Sequence, residues 1–303
     1  MRVFVTGATG FIGSVTVREL LQAGHQVLGL ARSDAAAAAL AAAGAEVQRG
    51  TLDDLDSLRK GVAAADGVIH LAYNHDFSQY EAAARSELRA IETLGEALGG
   101  SGRPLVIASG LLGLAVGRVA TERDLPDAAT AAASPRSAGA RAALAFAERG
   151  VRSSIVRLAP LVHGEVKRGF VGTLIDIARQ KGVSGTVGDG SNRWPAGHTL
   201  DAARLYRLAL EAAPARSRLH AVGDEGIPFR QIAEVIGRQL DLPVRSVAAD
   251  EADAYFGFMA LFVMLDNPTS SALTQELLDW HPTHPGLIDD LDQGHYFDDP
   301  AGT

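Results

Sequence analysis

Three features of this 303-residue chain predict an α/β protein with a doubly wound parallel sheet and a smaller C-terminal α/β unit. Short apolar runs alternate with helically spaced stretches through the first half. A glycine-rich turn follows the first apolar run directly. After residue 163 the alternation gives way to a Gly-rich stretch and then to amphipathic helices.

Taken in order, RVFVTG and HQVLGLA read as strands, and Phe11–Gly24 between them has helical spacing. AAAAALAAAGAEV is low in complexity but patterned as a helix. Ser33 or Asp34 caps its start, and Gly44 sits just past its end. AEVQRGTL, GVIHLAY, PLVIAS and SSIVRLA supply further apolar strands between helical stretches, the pattern of a parallel sheet covered on both faces. His163 to Pro195 is Gly-rich around one helical piece. TLDAARLYRLALEAA is then an amphipathic helix capped by Thr199 or Asp201, RLHAVG a strand returning to the sheet, and PFRQIAEVIGRQL a further helix. The expected organisation is a dinucleotide-binding unit over 1–162, with 198–222 returning to it. The second unit comprises 163–197 and 223–303.

Composition narrows the function. Hydrophobic residues make up 47% and charged residues 21%, too apolar for disorder. A net charge of −8 leaves no basic surplus for nucleic acid. With no cysteine there is no disulfide, thiolate nucleophile or Cys-type metal site. An apolar strand begins at the second residue, so no signal peptide is expected. The run Ala254–Leu265 is too short to span a bilayer and reads as core or as a greasy substrate wall. A cytoplasmic protein acting on a small molecule, without membrane or nucleic-acid partners, is expected.

The strongest motif is Thr6-Gly7-Ala8-Thr9-Gly10-Phe11-Ile12-Gly13, placed between the first strand and the first helix. Gly7 permits the tight turn, Gly10 lets the backbone approach a diphosphate, and Gly13 lets the helix pack on the sheet. Free N–H groups and the helix dipole would hold the diphosphate there. About 20 residues on, an NAD site wants an acidic residue at the end of the second strand. Leu30-Ala31-Arg32-Ser33 stands there instead. Arg32, with Ser33, suits a ribose 2′-phosphate, so NADPH is the expected cofactor.

These residues resemble the extended or atypical branch of the short-chain dehydrogenase/reductase superfamily, close to its NAD-dependent epimerase/dehydratase members. TGATGFIG is similar to that branch's TGxxGxxG motif. The resemblance implies that Leu52 and Asp53 contact the adenine, that Leu71 and Ala72 run beneath the cofactor, and that Ser109 is the catalytic serine. It also implies that Pro160 and Val162 pass the nicotinamide, and that the protein is a homodimer joined by helices near 79–98 and 137–149.

One departure is informative. None of the five tyrosines has a lysine four residues later, so the family's Tyr-x-x-x-Lys pair is missing. Ser137 and Arg141 stand where the pair is expected. Arg141 suits the nicotinamide ribose but equally reads as an exposed helix arginine, and it cannot shuttle protons. Ser137 is a far weaker acid than a phenol. Tyr73, His75 and Asp76, at the carboxyl edge of the sheet, are the alternative proton donors, and Asp76 equally reads as a helix cap. His163 reads as a core or loop-satisfying histidine, and His281 and His284 as weak metal signals.

A general acid contributes about 10²–10⁴-fold, whereas positioning the reactants contributes about 7–11 kcal/mol. A reductase can therefore survive loss of the tyrosine. The expectation is NADPH-dependent reduction of a C=O or C=N group, the easier cases being an imine or an activated ketone. The alternatives are a sugar-nucleotide epimerase or dehydratase and a non-catalytic NADPH-binding redox sensor.

Overall fold

The structure is a computed structural model that describes residues 1–74, 80–115, 117–126 and 136–298. Seven strands form the main sheet: β1 (Arg2–Thr6), β2 (Gln26–Ala31), β3 (Glu46–Arg49), β4 (Gly67–His70), β5 (Pro104–Gly110), β6 (Arg152–Leu158) and β10 (Ser217–Ala221). Their spatial order is β3-β2-β1-β4-β5-β6-β10. All neighbours are parallel. This is the Rossmann-type arrangement, and the strand order reverses between β1 and β4, where ligands bind in such sheets.

Helices cover both faces because β1 and β4 are apolar on both. Val3 and Val5 point to one core with Leu205, Tyr206 and Leu210 of α7 (Thr199–Ala212). Phe4 points the opposite way, toward Leu58 of α3 (Leu55–Ala63) and Ile91 and Leu94 of α4 (Tyr80–Leu98). Helices α1 (Phe11–Gln22), α2 (Asp34–Ala42) and α5 (Arg136–Ala145) complete the two layers.

The later residues build on the carboxyl side of this sheet. β7 (Leu161–His163), β9 (Arg193–His198) and β11 (Asp224–Pro228) form a three-stranded sheet, and β8 (Ser184–Val187) pairs with β12 (Val244–Val247). α6 (Gly169–Lys181), α8 (Phe229–Leu240), α9 (Ala252–Phe256), α10 (Ala260–Val263), α11 (Ala272–Leu278) and α12 (Leu287–Asp292) accompany them. Trp194, Phe229, Ile232, Phe256, Leu287 and Tyr296 fill a separate core. Among the described residues no helix is long and apolar enough to cross a membrane.

Two helix starts differ in detail from the sequence expectation. Ser33 alone caps α2, its hydroxyl accepting from the Ala36 N–H at 3.2 Å. Neither Thr199 nor Asp201 caps α7. His198 does so, its Nδ1 accepting from Leu200 N–H at 3.2 Å. The Asp201 carboxylate is taken by the distant segment Thr283–His284, whose N–H groups donate to it at 3.1 Å each.

Candidate functional site: a dinucleotide cleft and its substrate end

A cleft of about 2130 Å³ opens at the carboxyl ends of the strands. Its first end is made by backbone. Gly7 has φ of +67°, and a Cβ there would lie 2.6 Å from the Ala72 nitrogen. A Cβ on Gly13 would lie 1.9 Å from the Gly7 carbonyl oxygen. Glycine is required at both positions, the first for its left-handed backbone and the second for close helix–strand approach. Gly10 caps α1 without any side-chain hydrogen bond, and the first turn carries no acidic residue. That leaves free N–H groups at the positive end of a helix dipole, a cradle that fits a diphosphate. Thr9, Phe11 and Ile12 complete the rim.

Where β2 ends, Arg32 and Ser33 line the cleft, and no carboxylate among the described residues pairs with Arg32. A second guanidinium was not expected from the sequence. Arg49, at the end of β3, donates to the Ser33 carbonyl at 2.6 Å and pairs with Asp34. The signal that could have found it is the parallel register, which sets Arg49 opposite Ala31. Leu52 and Asp53 also line this end, and the Asp53 carboxylate accepts from Ser86 at 2.7 Å and from Arg89 at 3.1 Å.

Beneath the cradle the Thr6 hydroxyl lies 2.8 Å from His70 Nδ1 and accepts from Ala72 N–H at 3.4 Å. This ties the start of the Leu71–Ala72 segment to β1. Burial holds the His70 imidazole well below its usual range, at about 4, with the positive charge of Arg136 acting in the same direction. The ring is therefore neutral at physiological pH.

The other end is made by side chains. Ser109 at the tip of β5, Ser137 and Arg141 on α5, Tyr73 after β4, and Pro160 and Val162 around β7 all line the same cleft. Asp76 and His75 lie outside the described residues. In β6, Arg157 faces Ser109 across the register and is buried. Its guanidinium donates to the Asp124 carbonyl at 3.0 Å and reaches His220 Nε2 at 3.2 Å, so it braces the segment carrying Leu125 and Pro126 on the cleft wall. The run Ala254–Leu265 divides between the two roles expected for it. Phe256, Met259 and Val263 are core, whereas Phe258, Leu261, Phe262 and Leu265 line the cleft, Leu261 being 74% exposed.

The sequence did not point to the cluster beside Tyr73. The Arg136 guanidinium lies over the Tyr73 ring, 4.0 Å from its centroid. Its Nε donates to Glu87 Oε1 at 3.3 Å. Glu87 is only 3% exposed. Burial pushes its carboxyl above the usual range despite the opposing pull of Arg136.

His163 is buried. His163, His198 and Asp290 bring three ligand-type atoms within 4.8 Å of one another, but two of the three are hydrogen-bonded to each other and the third presents a donor. His163 Nδ1 donates to Asp290 Oδ2 at 2.7 Å, and Tyr296 donates to the same oxygen at 2.9 Å. The His198 Nδ1 accepts from backbone, so the proton of its neutral ring sits on Nε2, and burial keeps that ring neutral with a value near 4. A protonated Nε2 is a donor, not a ligand. The cluster is a brace between α12, β7 and β9.

A doubly wound sheet with a glycine-built, uncapped helix start at its switch point defines a dinucleotide-binding oxidoreductase fold. The model of the NAD dependent epimerase/dehydratase family matches residues 3–221. An uncharacterized protein of Schizosaccharomyces pombe is 52% identical over 299 residues, covering 98% of this chain and 100% of its own. Another uncharacterized protein, from Saccharomyces cerevisiae, is 43% identical over 293 residues, covering 96% and 98%. Among solved structures, dTDP-glucose 4,6-dehydratase from Streptomyces venezuelae with NAD bound superposes with a TM-score of 0.77 at 21% identity, covering 97% of this chain and 96% of that one. The chain belongs to the NAD-dependent epimerase/dehydratase family.

Proposed function

We propose that the protein is an NADPH-dependent reductase acting on a C=O or C=N group of a small, largely apolar molecule. The observation that carries the cofactor assignment is Arg32, set at the end of β2 with no carboxylate partner among the described residues, beside the uncapped start of α1. Gly7, Gly10 and Gly13 with the α1 N–H groups would hold the diphosphate, Arg32 and Ser33 the 2′-phosphate, and Leu52 and Asp53 the adenine side. Arg49, ion-paired with Asp34, holds the Ser33 carbonyl and so fixes the start of α2 beside this site. Leu71, Ala72, Pro160, Val162 and Arg141 would flank the nicotinamide ribose and ring. When bound, the cofactor supplies the hydride equivalent for reduction.

The chain's own residues do the rest. Ser109, exposed to the cleft at the tip of β5, donates a hydrogen bond to the substrate oxygen or nitrogen as negative charge gathers there. The apolar wall of Leu125, Phe258, Leu261 and Phe262 excludes water and selects an apolar body. In this reading 1–162 with 198–222 carry the cofactor, 163–197 with 223–303 the substrate. A cytoplasmic homodimer through α4 and α5 completes the proposal, and light scattering tests the assembly.

A second reading, a sugar-nucleotide epimerase or dehydratase, is supported by the likeness to the dTDP-glucose dehydratase. The apolar wall and the absence of a Tyr-x-x-x-Lys pair weigh against it, since those reactions begin by oxidising a hydroxyl, which needs a strong base. NADPH consumption assayed against paired cyclic imines, apolar ketones and sugar nucleotides separates the two. Turnover confined to sugar nucleotides would overturn the reductase.

A further inference from the structure

We propose that Tyr73 is the proton donor of the reductive step and that Arg136, held in place by the buried carboxylate of Glu87, is the fixed charge that acidifies it. The inference rests on the reductase reading and assigns the acid which that reading leaves open. Tyr73, Arg136, Ser109 and Ser137 all line the cleft, the Tyr73 hydroxyl oxygen being buried in its wall. Arg136 lies over the phenol face at 4.0 Å, and Glu87 grips the guanidinium from behind at 3.3 Å.

Packing alone does not account for this arrangement. The second oxygen of Glu87 is buried with no hydrogen-bond partner among the described residues. A half-satisfied buried carboxylate is a standing cost to the fold. What it secures is the orientation of Arg136, whose side chain is otherwise a quarter exposed. Arginine cannot itself give up a proton. A positive charge within about 4–6 Å of an acid lowers its pKa by about 1–3 units. Tyr73 with Arg136 thus takes over the work of a tyrosine and its neighbouring lysine from different elements of the fold.

The step balances as follows for a carbonyl. As the carbonyl carbon accepts the reducing equivalent, the C=O π pair moves onto oxygen, which forms a bond to the Tyr73 proton. The Tyr73 O–H bond breaks, its electron pair stays as phenolate beside the guanidinium, and a proton taken up from water admitted to the cleft after product leaves restores the phenol.

Arg136 acts on His70 of β4 and on Tyr206 of α7, which burial holds respectively neutral and above the usual phenol range. Arg141 of α5 and Arg157 of β6 line the same cleft. His75 and Asp76 follow Tyr73 directly, outside the described residues.

The test is a tyrosinate absorbance titration of the intact protein, without cofactor, for the wild type, Tyr73→Phe, Arg136→Met and Glu87→Gln, each in a Tyr80→Phe background. Burial pushes Tyr206, Tyr255 and Tyr296 upward, and the Tyr73 hydroxyl oxygen is buried too, so Tyr73 should give the first step only through the opposing charge of Arg136. That step should vanish in Tyr73→Phe and rise by about 1–3 units in Arg136→Met. It should fall in Glu87→Gln, which keeps an acceptor for Arg136 but removes the countercharge. Tyr73→Phe should also lower kcat by about 10²–10⁴-fold with NADPH affinity unchanged.

An early step that survives Tyr73→Phe, or that ignores Arg136→Met, overturns the proposal. So does a kcat pH profile that moves with Asp76→Asn and not with Arg136→Met. If NADPH fails to bind, the reductase reading falls while the titration still reports on the pair. If NADPH binds and Tyr73→Phe turns over normally, only this inference falls.

Discussion

The two ends of the cleft are built from different materials. The diphosphate end is backbone: three glycines, a helix start without a side-chain cap, and a carbonyl oxygen 1.9 Å from where a Gly13 Cβ would stand. The opposite end, where we place the substrate, is side chains brought from separate elements: Ser109 from β5, Tyr73 after β4, Arg136 from α5, Glu87 from α4 and an apolar wall from the 254–265 run. A backbone site tolerates almost no change and is shared across a family. A side-chain site can change residue by residue while the sheet that carries it stays the same.

Breaking the backbone end should have the largest effect. Gly13→Val drives a branched side chain into the Gly7 carbonyl, and overpacking of this kind costs about 1–3 kcal/mol or more. Calorimetry should detect no cofactor uptake and thermal melting should shift downward; uptake at wild-type affinity would show that the cradle is not the site. Ser109→Ala is next. Turnover should fall by about 10²–10³-fold, as for loss of a hydrogen bond that strengthens as charge develops, while NADPH affinity is retained. Equal losses in both quantities would place Ser109 in the cofactor site instead.

Arg32→Ala sharpens the comparison at the adenosine end. A charge-assisted hydrogen bond is worth about 1.5–3 kcal/mol, so the NADPH dissociation constant should rise about ten- to a hundredfold. The NADH constant should not move. Equal weakening of both would mean that Arg32 does not read the 2′-phosphate.

The smallest effect expected is on stability with pH. His70 is held neutral by burial, with a native value of about 4 against an unfolded value near 6.5. The unfolded chain then binds more protons below pH 6.5, so stability is fullest above that pH and declines as pH falls toward 4. His70→Gln should flatten this part of the melting-temperature profile. An unchanged slope would assign the acid sensitivity to other groups, of which His198 and His220 are also held near 4 by burial.

What was legible in the sequence follows the same division. TGATGFIG could be read because its chemistry is local: turn, close approach and helix start fall within eight consecutive residues. The parallel sheet was legible because its strands are apolar on both faces. Arg136 and Glu87, 49 residues apart, were not, because nothing along the chain marks that α4 and α5 turn these side chains toward each other. The α7 cap was misassigned for the same reason. Asp201 has the right chemistry and place for a cap, but Thr283 and His284 claim its carboxylate across 82 and 83 residues. Arg49 lay between these extremes, since two adjacent parallel strands in register put it beside Arg32's neighbours.

The central claim is that this family member binds the phosphorylated dinucleotide in preference to the unphosphorylated one. Calorimetric titration of the wild-type protein with NADP⁺ and NAD⁺ under identical buffer tests it directly. One site per chain is expected, with NADP⁺ bound about ten- to a hundredfold more tightly. Equal affinity, or tighter binding of NAD⁺, would contradict it.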